Sequence, residues 1–168
     1  MSDQNIILYG HYVYYDDELK FTPLYKMMSQ EIFDENKYIT LDLIDETRYY
    51  EIVSIHYYKL GSEGVEYDYT SYTKSYFNNY MDHVQKNNRI KTEETISYED
   101  KMLTLQTCVR DREDLRLIVI AKQIESIPEE TAAPFISNRK IQVAIGPVIA
   151  EVKIAGSHTF GFLTIFPI

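Results

Sequence analysis

Two segments with the pattern of β-strands, residues 102–107 and 115–124, lie on either side of the only cysteine of the chain, Cys108. A single cysteine excludes an intramolecular disulfide and a multi-cysteine zinc site. The chain has 168 residues, 45% of them hydrophobic and 26% charged. This length and composition are typical of a globular protein with one hydrophobic core rather than of a disordered chain.

The segments before this strand pair predict a mainly β fold with few helices. Residues 5–9, 38–44 and 47–59 read as strands, with a turn at 45–46 and a break at 61–64. Scattered helical spacing after Pro23 predicts a helix within residues 19–36. A second helix is predicted over 68–88, because aromatic and apolar residues at spacings of three and four share one face. These residues are Tyr69, Tyr72, Tyr76, Tyr80 and Val84.

The composition changes near residue 127, because all 16 tyrosines precede it and four of the five prolines follow it. We therefore predict a first unit at residues 1–126 and a tail of uncertain origin at 127–168. The tail contains strand-like pieces at 140–145, 148–154 and 160–166. Either these strands extend and close the sheet of the first unit, or the tail packs poorly against it.

The net charge of −9 disfavours a nucleic acid partner and favours a basic peptide or an amine. No basic, apolar leader is visible at the first residues, so we expect no signal peptide or membrane anchor in this chain. The apolar stretch after Lys153 has only 15 residues, whereas a membrane helix needs roughly 20.

Cys108 is the first candidate for chemistry. The period of two along a strand puts Thr104, Gln106 and Cys108 on one face. Cys108 therefore ends the strand beside polar residues and before the charged loop 110–114, which suits a partly exposed, activated thiol. The alternative is that a lone cysteine is a small buried hydrophobe.

Arg116 and His11 are the other two candidates. Arg116 shares a strand face with Ile118 and Ile120, where its donors can stabilise an oxyanion. The alternative is a solvated arginine or a salt bridge to Asp114 or Glu113. His11 follows a strand end, and imidazole is the usual acid–base partner of a cysteine nucleophile.

The remaining histidines, His56, His83 and His158, are interpreted as structural or solvated. No pair of the four histidines has the spacing of metal ligands, so a metal site is not expected.

Together these residues resemble a class B sortase. The resemblance covers roughly residues 3–125. It rests on Tyr9-Gly10-His11, on the run Thr104-Leu105-Gln106-Thr107-Cys108 followed by Arg116, and on the helical insertion at 67–88. It implies a sortase-like β-barrel, incomplete at its N-terminal side, with a helix inserted before the strand of Cys108.

The resemblance also implies a cysteine transpeptidase. Cys108 would attack the carbonyl after threonine in an Asn-Pro-x-Thr sorting signal, His11 would transfer protons, and Arg116 would hydrogen-bond substrate or oxyanion. Peptide-binding residues would be Tyr9, Thr104, Leu105 and Thr107. The expected partners are the sorting-signal peptide and a cell-wall precursor amine, with no metal or organic cofactor, at the outer face of a Gram-positive cell membrane.

The chain departs from the family pattern in several places. His11 lies near the start of the sequence, so the strands that usually precede this histidine are expected to be absent. Position 106 carries Gln where a small residue is common, and its bulk is expected to narrow the groove. The loop between Cys108 and Arg116 is short. The alternatives are therefore an inactive sortase remnant or a peptide-binding β module.

Overall fold

The structure, a computed structural model, describes residues 3–16, 20–61, 64–128, 141–145, 148–155 and 164–165. Its strands and helices follow in chain order. They are β1 (Asn5–Gly10), a 3-10 helix (Thr22–Met28), α1 (Gln30–Asn36), β2 (Tyr38–Asp42), β3 (Thr47–Lys59), α2 (Lys74–Asn87), β4 (Met102–Val109), β5 (Arg112–Ile124), β6 (Ile141–Ile145), β7 (Val148–Ala155) and β8 (Thr164–Ile165). The expectation of a mainly β fold is confirmed.

The described strands form one eight-stranded sheet in the order β1-β4-β5-β3-β2-β7-β6-β8. The β1–β4 and β6–β8 pairs are parallel, and the other neighbours are antiparallel. Cα atoms of β8 come within 8 Å of Cα atoms of β1, so the sheet curls until its two edges approach each other. The result is a curled half-barrel.

The tail joins the sheet through β7, which pairs with β2, and no described tail strand pairs with the strands of Tyr9 or Cys108. Residues 38–42 of β2 pair with 151–155 of β7 in antiparallel register, and β6 pairs with β7. The predicted strands at 140–145 and 148–154 match β6 and β7, whereas the predicted strand at 160–166 is described only at 164–165. The division into units 1–126 and 127–168 stays a prediction.

The predicted helix at 68–88 is wrong at its start, because α2 begins only at Lys74. Thr73 caps it, accepting a hydrogen bond from the Tyr76 backbone N–H at 3.3 Å. Residues before the cap bond to β1 instead: the Asn5 N–H donates to the Thr70 carbonyl at 3.0 Å. Tyr72 still stacks on Tyr80, with ring centroids 5.6 Å apart, although it is outside the helix.

The single helix predicted within 19–36 is two short helices. Ser29 has extended backbone dihedrals and separates the 3-10 helix from α1. Pro23 lies at the first turn of the 3-10 helix, where its missing N–H costs no hydrogen bond. Residue 19, the first of the predicted helix, lies outside the described residues.

The sheet buries side chains on both faces, because strand residues alternate between them. One face packs against the 3-10 helix and α1 through a cluster that includes Leu8, Phe21, Phe33, Leu105 and Leu117. The other face packs against α2 through a cluster that includes Tyr58, Tyr67, Phe77, Tyr80 and Ile118. Since Cys108 alternates with Thr107 and Leu105, it belongs to the face beneath α2, called here the Cys108 face.

Candidate active site

The strand register brings the ends of β1, β4 and β5 together at Cys108. Gly10 is the last paired residue of β1 and lies beside Thr107 of β4. The next residues along these parallel strands are His11 and Cys108. On the other side, Cys108 pairs directly with Arg116 of β5. Three adjacent chain segments therefore present His11, Cys108 and Arg116 at one end of the sheet.

Cys108 is a free thiol of intermediate exposure. It lines an open surface pocket with Tyr14, Val109, Arg112, Glu113 and Arg116. Directly opposite residues of an antiparallel pair have Cβ atoms about 4.5–5.5 Å apart, so Cys108 and Arg116 project together from the sheet. The interpretation of Cys108 as a fully buried small hydrophobe is wrong.

Arg116 is anchored to its own strand. Its Nη1 donates to the carbonyl oxygens of Glu113 at 2.9 Å and Leu115 at 2.8 Å. The side chain of Asp114 instead binds Arg112, at 3.0 and 3.1 Å. The acceptors of Arg116 are thus backbone carbonyls rather than the carboxylates expected for a salt bridge. Nε and Nη2 of a guanidinium carry three further N–H donors.

The predicted loop 110–114 is mostly strand. β5 begins at Arg112, which pairs with Val109, so the turn itself consists of Arg110 and Asp111. One step along β4, from Cys108 to Val109, corresponds to four steps along β5, from Arg116 to Arg112. Residues 113–115 therefore form a bulge next to the candidate site, and Arg116 fastens it by the two carbonyl bonds above.

His11 is exposed and its backbone is tightly held. Its carbonyl accepts a hydrogen bond from the Phe21 N–H at 3.2 Å. The preceding Gly10 packs against the Phe21 ring, because a Cβ at position 10 would lie only 1.9 Å from that ring. Two residues after His11, the Val13 N–H donates to Thr22 Oγ1 at 2.7 Å. The segment of His11 is thus attached to the 3-10 helix and to the residue before it.

The four residues predicted to bind peptide divide between the two faces. Tyr9 pairs with Gln106 and keeps 39% of its surface exposed. The burial of the rest of its side chain raises the pKa of Tyr9, and the charge of Asp68 raises it further. Leu105 and Thr107 are fully buried on the face opposite Cys108. The structure does not bring Leu105 and Thr107 to the groove, because the strand period that exposes Cys108 turns both of them inward.

Thr104 shares the Cys108 face but is also fully buried. Its Oγ1 donates to Asn5 Oδ1 at 2.9 Å. Asn5 Nδ2 in turn donates to the carbonyl of Tyr69 at 3.0 Å. Tyr69 belongs to residues 64–73, called here the strap, which connect β3 to α2. Thr104 is therefore linked to the strap through Asn5.

The strap also reaches the position two residues before Cys108. Tyr67 Oη donates to Gln106 Oε1 at 3.1 Å, and both side chains are buried. Burial raises the pKa of Tyr67 to about 12. Tyr9 and Asp68 add to this increase, whereas Arg116 opposes it. Tyr67 thus stays a protonated donor. Whether Gln106 narrows the groove stays a prediction. The sequence marked Tyr67 only as the start of the insertion.

No protein-family model matches the chain, and the search of curated proteins found no match. Solved structures are similar. Sortase B from the type II pilus of Streptococcus pneumoniae has 26% identity and a TM-score of 0.62, covering 74% of this chain and 70% of that chain. Clostridium perfringens sortase B has 28% identity and a TM-score of 0.61, covering 73% of this chain and 67% of that chain.

The chain has the class B sortase fold. Staphylococcus aureus sortase B gives the same fold at 23% identity with a TM-score of 0.63, covering 74% of this chain and 58% of that chain. The predicted resemblance to class B sortases is therefore confirmed at the level of the fold. The sortase structural neighbours support a cysteine transpeptidase family.

His56 and His83 lie away from the sortase-like site, in β3 and α2. His56 is fully buried in β3, with Nδ1 at 3.0 Å from Ser54 Oγ. Burial, and then the charge of His83 on α2, lower the pKa of His56 to about 3. His56 is thus a neutral core residue, which agrees with its structural interpretation. His158 lies outside the described residues.

Within the described ranges, no three His, Cys, Asp or Glu side chains are grouped closely enough to hold a metal ion. Among the helices of that part of the chain, none is long and apolar enough to cross a membrane.

Proposed function

We propose that this chain is a sortase-type cysteine transpeptidase that uses Cys108, His11 and Arg116. The observation that carries the proposal is the register of three adjacent strands: Gly10 beside Thr107, and Cys108 opposite Arg116. That register brings the chain segments that carry an imidazole, a thiol and a guanidinium to the same end of the sheet in a class B sortase fold. Nucleophile, base and oxyanion donor are the three groups that acyl transfer through a thioester needs.

In the first half-reaction, the Cys108 thiolate attacks the carbonyl carbon of the threonine in an Asn-Pro-x-Thr signal. The C–N bond after this threonine then breaks, His11 gives its proton to the leaving amine, and a thioester on Cys108 remains. Charge develops on the carbonyl oxygen only as the tetrahedral intermediate forms. Arg116 donates to that oxygen through Nε or Nη2, while Nη1 keeps its two backbone bonds.

In the second half-reaction, an amine of a cell-wall precursor attacks the thioester. His11 accepts the proton from this amine, the C–S bond breaks, and a new amide forms. Among the similar structures, one S. aureus sortase B is a complex with substrate, and another sortase B is a complex with triglycine. These two complexes support a peptide donor and an amine acceptor. We place this reaction at the outer face of a Gram-positive cell membrane, where the family works.

One observation favours a second candidate, an inactive sortase remnant. Thr104 is fully buried, and Gln106, which accepts a hydrogen bond from Tyr67 of the strap, is only 7% exposed, so the face is closed directly before Cys108. A peptide lying over Tyr9 and the pocket of Tyr14 would have little room on that side. The two candidates differ in whether the thiol becomes acylated.

The test is turnover of a quenched fluorescent peptide containing Asn-Pro-Gln-Thr-Asn, with Cys108→Ala as the matched control. Mass spectrometry follows the acyl adduct on Cys108, and a competing amine tests the transfer step. Cysteine-dependent cleavage with an adduct supports the transpeptidase. Folded protein that forms no adduct with any of a set of sorting motifs supports the inactive remnant instead.

A further inference from the structure

The backbone of Cys108 lies where the β4–β5 ladder loses its register. Cys108 pairs with Arg116, whereas the next residue, Val109, pairs with Arg112. The regular exchange of hydrogen bonds between the strands is interrupted at this step. The peptide group that follows the candidate nucleophile therefore needs another group to fix its orientation.

Tyr25 supplies that group from the opposite face of the sheet. Its hydroxyl donates to the Cys108 carbonyl oxygen at 3.1 Å. Tyr25 belongs to the 3-10 helix and packs against the apolar cluster of that face. Burial, followed by Tyr57 and Tyr12, raises the pKa of Tyr25, and a backbone hydrogen bond from Arg110 acts in the opposite direction. Tyr25 is thus protonated at any working pH.

The same side chain contacts the segment of His11. The ring of Tyr12, which follows His11 directly, packs edge-on against the Tyr25 ring with centroids 5.2 Å apart. Tyr25 therefore contacts Tyr12, the neighbour of His11, with its ring. Its hydroxyl contacts the backbone of Cys108. Neither of these two contacts belongs to the sheet ladder.

We propose that Tyr25 is a positioning residue that sets the geometry between Cys108 and His11. The inference rests on the transpeptidase function proposed above. Rotation of the Cys108–Val109 peptide would redirect the Cα–Cβ bond of Cys108, and a misplacement of about 1 Å in an active site can cost about 100-fold in rate. The Tyr25 hydroxyl prevents this rotation. It also engages the carbonyl dipole of the residue that carries the thiol.

The test variant is Tyr25→Phe, which keeps the ring against Tyr12 and removes the bond to Cys108. We expect kcat for peptide cleavage to fall by about 10-fold or more, with KM changed less than about twofold. We also expect the pH profile of Cys108 alkylation by iodoacetamide to move to higher pH. Without the Tyr25 hydroxyl, the negative end of the Cys108 carbonyl dipole is no longer hydrogen-bonded and opposes the thiolate. A merely structural role would not move this profile.

Two controls make the result specific. Tyr12→Phe removes a hydroxyl from the ring partner and leaves the bond to Cys108. Thr22→Val removes the hydrogen bond between Thr22 Oγ1 and the Val13 N–H, at the start of the same helix. If Thr22→Val reproduces the change of Tyr25→Phe, general loosening of the helix explains both and the proposal is overturned. Equal kcat and equal alkylation profiles in Tyr25→Phe and wild type overturn it too.

Failure of the proposed function gives a different result. If wild-type protein cleaves no sorting peptide, the transpeptidase proposal fails, but the alkylation profiles of the same variants still test whether Tyr25 sets the state of the Cys108 thiol. A profile that is shifted in Tyr25→Phe alone supports the positioning role. An unshifted profile refutes that role whether or not the protein has activity.

Discussion

Cys108 and Arg116 are the last directly opposed pair of β4 and β5 before the register breaks. Arg116 uses Nη1 to bind two carbonyls of the adjacent bulge, those of Glu113 and Leu115. These bonds hold Nη1 of the guanidinium on the strand that faces Cys108, through carbonyl oxygens rather than through a carboxylate. A charged donor group that is held in place in this way costs little reorganisation when an oxyanion forms.

Replacing Arg116 is expected to lower kcat more than it raises KM. Loss of one oxyanion donor typically costs about 100- to 1000-fold in kcat, and we expect this range for Arg116→Ala. Arg116→Lys should not restore the rate, because an ammonium is a point charge without the planar fork. Steady-state kinetics on the sorting peptide measure both constants.

Arg112→Ala is the matched control for Arg116→Ala, because Arg112 lines the same pocket but is exposed and paired with Asp114. An exposed pair of this kind is typically a minor contributor to stability. Activity should therefore stay within a few-fold of wild type. Equal losses in the two variants would assign the effect to pocket charge rather than to the oxyanion.

Truncating Gln106 is expected to open the groove beside Cys108. Gln106 shares the Cys108 face two residues before the thiol and is capped by Tyr67. We expect Gln106→Ala to speed the reaction of Cys108 with a bulky maleimide by several-fold relative to iodoacetamide. The ratio of the two rates is the measurement, and Gln123→Ala on β5 is the control. An unchanged ratio would mean that the strap, not Gln106, limits access.

Removing the Tyr67 hydroxyl is expected to destabilise the strap. Tyr67→Phe leaves the buried Gln106 Oε1 without its donor, and an unsatisfied buried acceptor costs about 1–3 kcal/mol. Tyr69→Phe, at an exposed ring of the same strap, should change the free energy of unfolding by less than about 0.5 kcal/mol. Urea denaturation of the three proteins compares the values. Equal stabilities would show that the contact carries no net energy.

The strands were predictable where alternation and turn residues agree. β3 has the predicted bounds, Thr47–Lys59, because a long alternating segment is bounded by a turn on one side and by a glycine on the other. The start of α2 was not predictable. Tyr69 and Tyr72 continue the helical spacing of Tyr76 and Tyr80 and pack with them, but they do so from the strap outside the helix. Spacing alone does not distinguish these arrangements.

The candidate site was predictable only as far as strand geometry extends. The period of two assigns Cys108, Gln106 and Thr104 to one face, as the structure has it. What covers that face depends on contacts between distant residues, such as Tyr67 with Gln106 and Asn5 with Tyr69. No local pattern encodes these contacts, which is why Thr104 was expected in the groove although it is buried and bonded to Asn5.

Adding a methyl group at Gly10 is expected to destabilise the end of β1. The new Cβ would lie 1.9 Å from the ring of the buried Phe21. Overpacking of this kind costs about 1–3 kcal/mol. The double variant Gly10→Ala/Phe21→Leu should lose less than the sum of the single variants, since the smaller side chain gives room. Additive losses in urea denaturation would mean that Gly10 is needed for another reason.

His56 is expected to make stability fall as the pH falls. Its pKa is lowered to about 3 by burial and by His83, against an ordinary value of 6.5. Between these two values the unfolded chain binds a proton at this position and the folded chain does not. The contribution of His56 therefore lowers stability by up to about 1.4 kcal/mol per pH unit from pH 6.5 downward, and this contribution stops changing near pH 3. Urea denaturation at a series of pH values measures the slope. His56→Gln should lower this slope by the amount that corresponds to about one bound proton. His83→Gln removes only the second cause of the lowered pKa, so most of the slope should remain. An unchanged slope in His56→Gln would mean that other groups, such as the carboxylates, cause the acid sensitivity.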